Sequence, residues 1–124
     1  MRVFKFGGAS VKDADGIKNV YDVLQKVGYE DVLLVVSAMG KTTNALEDVI
    51  KNYFEKSEEL NSSVQEVKKY HNQILLDLFE DEKNEVFAAV NSQFSELEYF
   101  LAHNKSPNYN FVYDQIVSYG ELIS

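Results

Sequence analysis

The stretch Asp31-Val32-Leu33-Leu34-Val35-Val36-Ser37-Ala38 decides the fold. From Val32 to Val36 the chain is unbroken apolar, the pattern of a parallel strand expected to be covered on both faces. It is far too short to span a bilayer. Upstream, Arg2 to Phe6 is a β-prone run that stops at Gly7-Gly8, which predicts a strand entering a tight turn. Between the two runs, Ile17, Val20, Tyr21, Leu24 and Val27 recur three or four apart and mark one helical face, with Gly28 in the C-terminal cap position. Strand, helix, strand with short joints is a βαβ unit, expected to cross over right-handedly.

Downstream of Ser37 the pattern becomes helical. Leu46, Val49, Ile50, Tyr53 and Phe54 predict a helix beginning near Thr42 or Thr43. Val64, Val67, Ile74, Leu75, Leu78 and Phe79 predict a second. Val86, Phe87, Val90, Phe94, Leu97 and Leu101 predict a third. Glu80-Asp81-Glu82-Lys83 reads as a surface turn between helices. After the break at Ser106-Pro107-Asn108, the residues Phe111, Val112, Ile116 and Val117 start a last helix. Two strands make a marginal sheet with open apolar edges, and the chain stops inside an amphipathic helix. The expectation is a segment of a larger α/β domain.

The composition narrows the function classes. The chain has 124 residues, about one domain's worth, and is 45% hydrophobic and 26% charged, enough apolar content for a core. A net charge of −8 argues against a nucleic-acid or anionic-membrane partner. With no cysteine, disulfides and thiolate metal sites are excluded. No metal ligand set is predicted. His71 and His103 stand in helical segments without a second histidine or carboxylate at ligand spacing, and read as structural or surface residues. The N-terminus lacks an apolar signal region, so a cytoplasmic address is expected.

Chemistry concentrates in three segments. In Lys5-Phe6-Gly7-Gly8-Ala9-Ser10-Val11 a strand delivers a lysine, two glycines bend the chain, and a helix is expected to start near Ser10. Glycines admit backbone N–H groups close to an anion, a helix N-terminus adds partial positive charge, and Lys5 adds a full one. An ordinary strand-to-helix turn with a surface lysine gives the same pattern. Ser37-Ala38-Met39-Gly40-Lys41-Thr42-Thr43-Asn44 lies at the C-terminal end of the buried strand, where open α/β sheets bind ligands. Capping of the helix explains Thr42 or Thr43 singly but not the whole polar cluster. Gly40-Lys41-Thr42 is no P-loop, because position 35 is valine where that pattern requires glycine. In Ser118-Tyr119-Gly120-Glu121-Leu122-Ile123-Ser124 the glutamate, taken alone, is an ordinary solvated helix residue.

Together the three segments resemble the aspartate kinases of the amino-acid kinase family. That family opens with Lys-Phe-Gly-Gly-Thr-Ser-Val, against Lys5-Phe6-Gly7-Gly8-Ala9-Ser10-Val11 here. A strand ending Val-Ser-Ala and then Thr-Asn corresponds to Val36-Ser37-Ala38 and Thr43-Asn44. A Gly-Glu pair before a small apolar-Ser sequence corresponds to Gly120-Glu121-Leu122-Ile123-Ser124. The departure is Ala9 in place of threonine, which removes a hydroxyl near the phosphates. The resemblance implies the N-terminal part of an α/β, carbamate kinase-like three-layer fold: a parallel βαβ unit followed by a helical subdomain over 1–124. The nucleotide-binding half and the regulatory ACT domains are expected beyond it.

The resemblance also implies a reaction: ATP, with Mg2+, phosphorylates the side-chain carboxylate of L-aspartate, the first step of lysine, threonine and methionine biosynthesis. It assigns Lys5 (as catalytic residue), Gly7, Gly8 and Ser10 to the phosphates. It assigns Ser37, Thr43 and Glu121 to aspartate, with Glu121 on its α-ammonium group. A homo-oligomer is expected, and these residues alone are not expected to turn over. A fusion to homoserine dehydrogenase would lie beyond residue 124; the Ser37–Asn44 loop leans to the monofunctional type. Other amino-acid kinases carry different residues after the lysine. The competing reading is a non-catalytic assembly module that pairs through its open sheet edge and acidic helices.

Overall fold

The computed structural model describes residues 1–79 and 84–124; the turn expected at Glu80-Asp81-Glu82-Lys83 lies outside the described residues. The elements follow in the order β1 (Arg2–Phe6), α1 (Ala14–Val27), β2 (Val32–Val36), α2 (Thr42–Phe54), α3 (Leu60–Leu78), α4 (Glu85–His103) and α5 (Tyr109–Ile123). β1 and β2 pair in parallel, Arg2 opposite Val32 through Phe6 opposite Val36. The predicted βαβ unit and helical subdomain are both present.

α1 begins four residues later than the expected start at Ser10. Ser10 N–H donates to Gly7 O at 3.0 Å and Val11 N–H to Gly8 O at 3.2 Å, so the chain spends residues 7–11 in tight turns. The Asp13 carboxylate then accepts from Gly16 N–H at 2.8 Å and caps the helix. A side chain on Gly16 would press against Ser10 O, 2.5 Å from its Cβ. At the other end Gly28, at φ 83°, closes the helix as predicted.

The expectation that β2 is covered on both faces does not hold within this chain. Pairing places Val3, Lys5, Leu33 and Val35 on one face, and Val3 is 60%, Leu33 49% and Val35 41% exposed. On the other face Leu34 is 41% and Val36 37% exposed, while Phe6 packs with Ile17, Leu24 and Tyr70 around Val11, Val20, Met39 and Ile74. Tyr21 and Val27, read as part of the apolar face of α1, are exposed, although α1 packs on α3.

The main core belongs to the helices. Leu46, Val49, Ile50, Phe94, Leu97, Val112 and Ile116 are shut from solvent, where α2 packs on α3 and α5 and α4 on α5. Each is an i, i+3 or i+4 position of its helix, so the core stripe follows the 3.6-residue period. Truncating one such side chain costs about 2–5 kcal/mol. Among the described residues no helix is long and apolar enough to cross a membrane.

One polar pair interrupts this core. Thr42 is 1% and His71 2% exposed, with Thr42 Oγ1 3.4 Å from His71 Nε2. Burial pushes the His71 pKa below the ordinary 6.5, against a smaller opposing effect of the Val67 carbonyl. The folded state therefore binds fewer protons than the unfolded one just below pH 6.5. The stability contributed by neutral His71 is complete above that value and is lost as the pH falls below it. The urea midpoint should drop between about pH 7.5 and 5.5, and drop less in a His71→Gln variant.

Candidate functional site

The two loops that leave the C-terminal ends of β1 and β2 cross. Ser37 N–H donates to Phe6 O at 3.1 Å, extending the ladder by one step, and Gly40 N–H donates to Gly8 O at 2.9 Å. A Cβ on Gly8 would stand 2.7 Å from Gly40 O and 3.0 Å from Ala38 O, both backbone atoms. Gly8 is thus a crossing point that admits no side chain. Gly40 holds φ 53°, the left-handed region that glycine tolerates best. Gly7 is different: nothing lies within 4 Å of its Cβ position.

The crossing leaves a row of amides without protein partners. Among the described residues, the N–H groups of Gly7, Gly8 and Ala9 donate to no protein acceptor. The same holds for Thr43 and Asn44 in the first turn of α2, a helix that begins with no side-chain cap. The capping role considered for Thr42 or Thr43 is not realised. Lys41 occupies the cap position, and the Thr42 hydroxyl turns inward to His71. Consecutive open amides beside a helix N-terminus suit an anion.

Lys5 stands next to last in β1, exposed and opposite Val35. Ser37 is half-buried one residue beyond β2, and Thr43 is half-buried in the first turn of α2. Glu121 follows Gly120, whose backbone packs on the second loop. A Cβ on Gly120 would lie 3.3 Å from Ala38 Cβ, 3.3 Å from Thr42 Cγ2 and 3.1 Å from Leu46 Cδ1. α5 therefore packs backbone-close on the loop that carries Ser37 and Thr43, and Glu121 is exposed beside that contact. Ser10 is exposed in the turn after the glycines, without the helix N-terminus expected there.

A 530 Å3 cavity opens on the α3 side of the crossing, bordered by Ala9, Lys12, Gly40, Lys41, Thr42 and Tyr70. Its lining does not include Lys5, Ser37 or Glu121. Tyr70 and His71 were not singled out as site residues by sequence reasoning. The signal available was His71 at a buried position of the α3 stripe, directly after a tyrosine.

The model of the amino acid kinase family matches residues 1–124. Over 128 aligned residues the chain is 30% identical to the chloroplastic bifunctional aspartokinase/homoserine dehydrogenase 1 of Arabidopsis thaliana, a match covering 98% of this chain and 14% of that protein. It is 49% identical over 51 residues to the aspartokinase of Bacillus sp. (strain MGA3), covering 40% of this chain and 12% of the other. Among solved structures, E. coli aspartokinase III in complex with aspartate and ADP superposes with a TM-score of 0.77 at 26% identity, over 99% of this chain and 26% of that one. The chain therefore matches only a minor part of each relative's length.

The glycine loop yields a stability prediction independent of ligands. Gly8→Ala should destabilise the fold by about 1–3 kcal/mol, because rigid backbone blocks its Cβ. Gly7→Ala should change stability far less, its Cβ meeting open space. Chemical denaturation of the two variants checks the contrast.

Proposed function

This chain belongs to the amino acid kinase family and is homologous to the N-terminal portion of aspartokinases, and on that premise we propose that it is the aspartate- and phosphate-binding part of an aspartokinase. The parent reaction would transfer the γ-phosphoryl group of ATP to the side-chain carboxylate of L-aspartate, at the start of lysine, threonine and methionine biosynthesis. The observation that carries the reading is the pair of crossing loops at the parallel strand ends. They bring the open amides of the glycine loop beside the Ser37–Asn44 segment, just beyond the strand that carries Lys5.

The chemistry asks little of a general base. A free aspartate side chain has a pKa of about 3.9 and is an ionised nucleophile at neutral pH. The protein must align it with the phosphoryl group and neutralise charge on the transferred oxygens. Lys5 and the open N–H groups of Gly7 and Gly8 serve the second need, with Ser10 at the margin of the same loop. The room at the Gly7 Cβ position suits the approach of a phosphate. Ser37 and Thr43 hydrogen-bond the aspartate, and Glu121 pairs with its α-ammonium group. Mg2+ enters with ATP and offsets phosphate charge. The nucleotide-binding half lies outside these residues, which alone do not complete the cycle; the parent is a cytoplasmic homo-oligomer in this reading.

The exposed sheet face of Val3, Leu33 and Val35 favours a second reading, an assembly module. A monomer in solution that binds neither aspartate nor phosphate would support it.

In the full-length protein, Lys5→Ala should lower kcat by about 100-fold or more, while changing aspartate affinity only a few-fold. Glu121→Gln should instead raise the aspartate KM. Steady-state kinetics separates the two, and nearly intact turnover in Lys5→Ala would remove Lys5 from its role.

A further inference from the structure

Both crossing loops are held from one place on α3. Tyr70 O–H donates to Lys12 O, in the turn that follows the glycine loop. The same hydroxyl lies 2.5 Å from where a Cβ on Gly40 would stand, so it abuts the second loop as well. His71 follows directly. Its Nδ1 is 2.9 Å from Val67 O, and a carbonyl only accepts, so Nδ1 carries the proton. Nε2 is then an acceptor, and the Thr42 hydroxyl 3.4 Å away is its donor.

That bond is long, but both partners are buried, so water does not compete for either. Thr42 in turn is tied into the second loop: its N–H donates to Met39 O at 2.9 Å. The imidazole is braced edge-on by Tyr70 at 5.2 Å and by Phe94 of α4 at 5.7 Å.

We propose that Tyr70 and His71 are positioning residues that clamp the glycine loop and the Ser37–Asn44 loop against each other from α3. Residues that merely filled the core would not aim a hydroxyl at one loop's carbonyl and a ring nitrogen at the first residue of α2 in the other. Burial, with Asp13 adding to it, raises the Tyr70 pKa, and burial lowers that of His71; each therefore keeps the protonation state its bond requires. The clamp concerns geometry on the page. Its consequence for catalysis rests on the proposed function.

Hydrogen–deuterium exchange by mass spectrometry on the full-length protein reads the clamp without any activity. Tyr70→Phe should speed exchange in peptides spanning 8–13, and His71→Leu and Thr42→Val in peptides spanning 37–44. The expected factor is about two- to tenfold, with the helical core unchanged. His71→Gln returns an acceptor near the Nε2 position and should recover most of the protection. Combining Thr42→Val with His71→Leu should add nothing to either alone. In turnover assays His71→Leu should raise the aspartate KM by a similar factor with kcat little changed. His71→Gln should reverse that rise.

Unchanged loop exchange in Tyr70→Phe and Thr42→Val overturns the proposal, whether or not His71→Leu folds. Faster exchange spread evenly over α2 to α5 overturns it too, since it marks a core defect. Loop-confined acceleration in a protein that shows no aspartate turnover upholds the clamp and counts against the proposed function instead.

Discussion

The contact on which the site depends is the passage of one loop backbone against another, with Gly40 N–H on Gly8 O at 2.9 Å and no room for a Cβ between them. Parallel pairing of β1 and β2 brings the strand ends side by side but leaves the loops free to diverge. The crossing removes that freedom. It also spends one N–H and one C=O on each other while leaving the flanking amides of Gly7, Gly8, Ala9, Thr43 and Asn44 open. Open amides of half-buried Gly7 and Gly8 beside the first turn of α2 form a group that suits an anion.

Holding the crossing falls to the helices rather than to the sheet. Two short strands contribute few ladder bonds, and both faces of β2 are part-exposed. The helical subdomain is the better anchored body, with Leu46, Ile50, Phe94 and Ile116 closed to solvent. α2 starts inside the second loop and ends in that core. α5 closes on the same loop through Gly120, and α3 reaches both loops through Tyr70. The rigid framework of the site is therefore helical, although its chemical groups sit at strand ends.

Much of this was legible in the sequence. A β-prone run stopped by two glycines and an unbroken apolar run located β1 and β2, and 3.6-residue stripes located all five helices, because these signals are local and the core stripe must face inward. The three polar segments were legible for the same reason, as glycines and hydroxyls adjoining strand or helix ends. What failed lay in competing local turns and in contacts between distant positions. The start of α1 was misplaced because turns closed by Gly7 and Gly8 carbonyls compete with helix initiation, and the Asp13 cap wins. The packing of Gly120 on Ala38 and Thr42 is a contact between distant positions that no local pattern encodes. Thr42 resembled a cap and became a core residue, because His71 offers its hydroxyl a better partner than the helix end does. Cover for β2 was read from its composition, and among the described residues Leu33 to Val36 stay 37–49% exposed.

The uncovered face bears directly on how strongly Lys5 acts. By register Lys5 shares that face with Val3, Leu33 and Val35, so its charge stands among apolar side chains that water now wets. Two unit charges at 4 Å attract by about 1 kcal/mol in bulk water and about 4 kcal/mol at a protein surface of effective dielectric near 20. Covering the face with further protein would exclude water around Lys5 and move it from the first regime toward the second. A phosphoryl group held there would then be gripped by the same lysine several-fold more strongly in energy, with no change in the loop geometry. The apolar neighbours of Lys5 bear on its proposed role in this way: the attraction grows as the face it shares is closed.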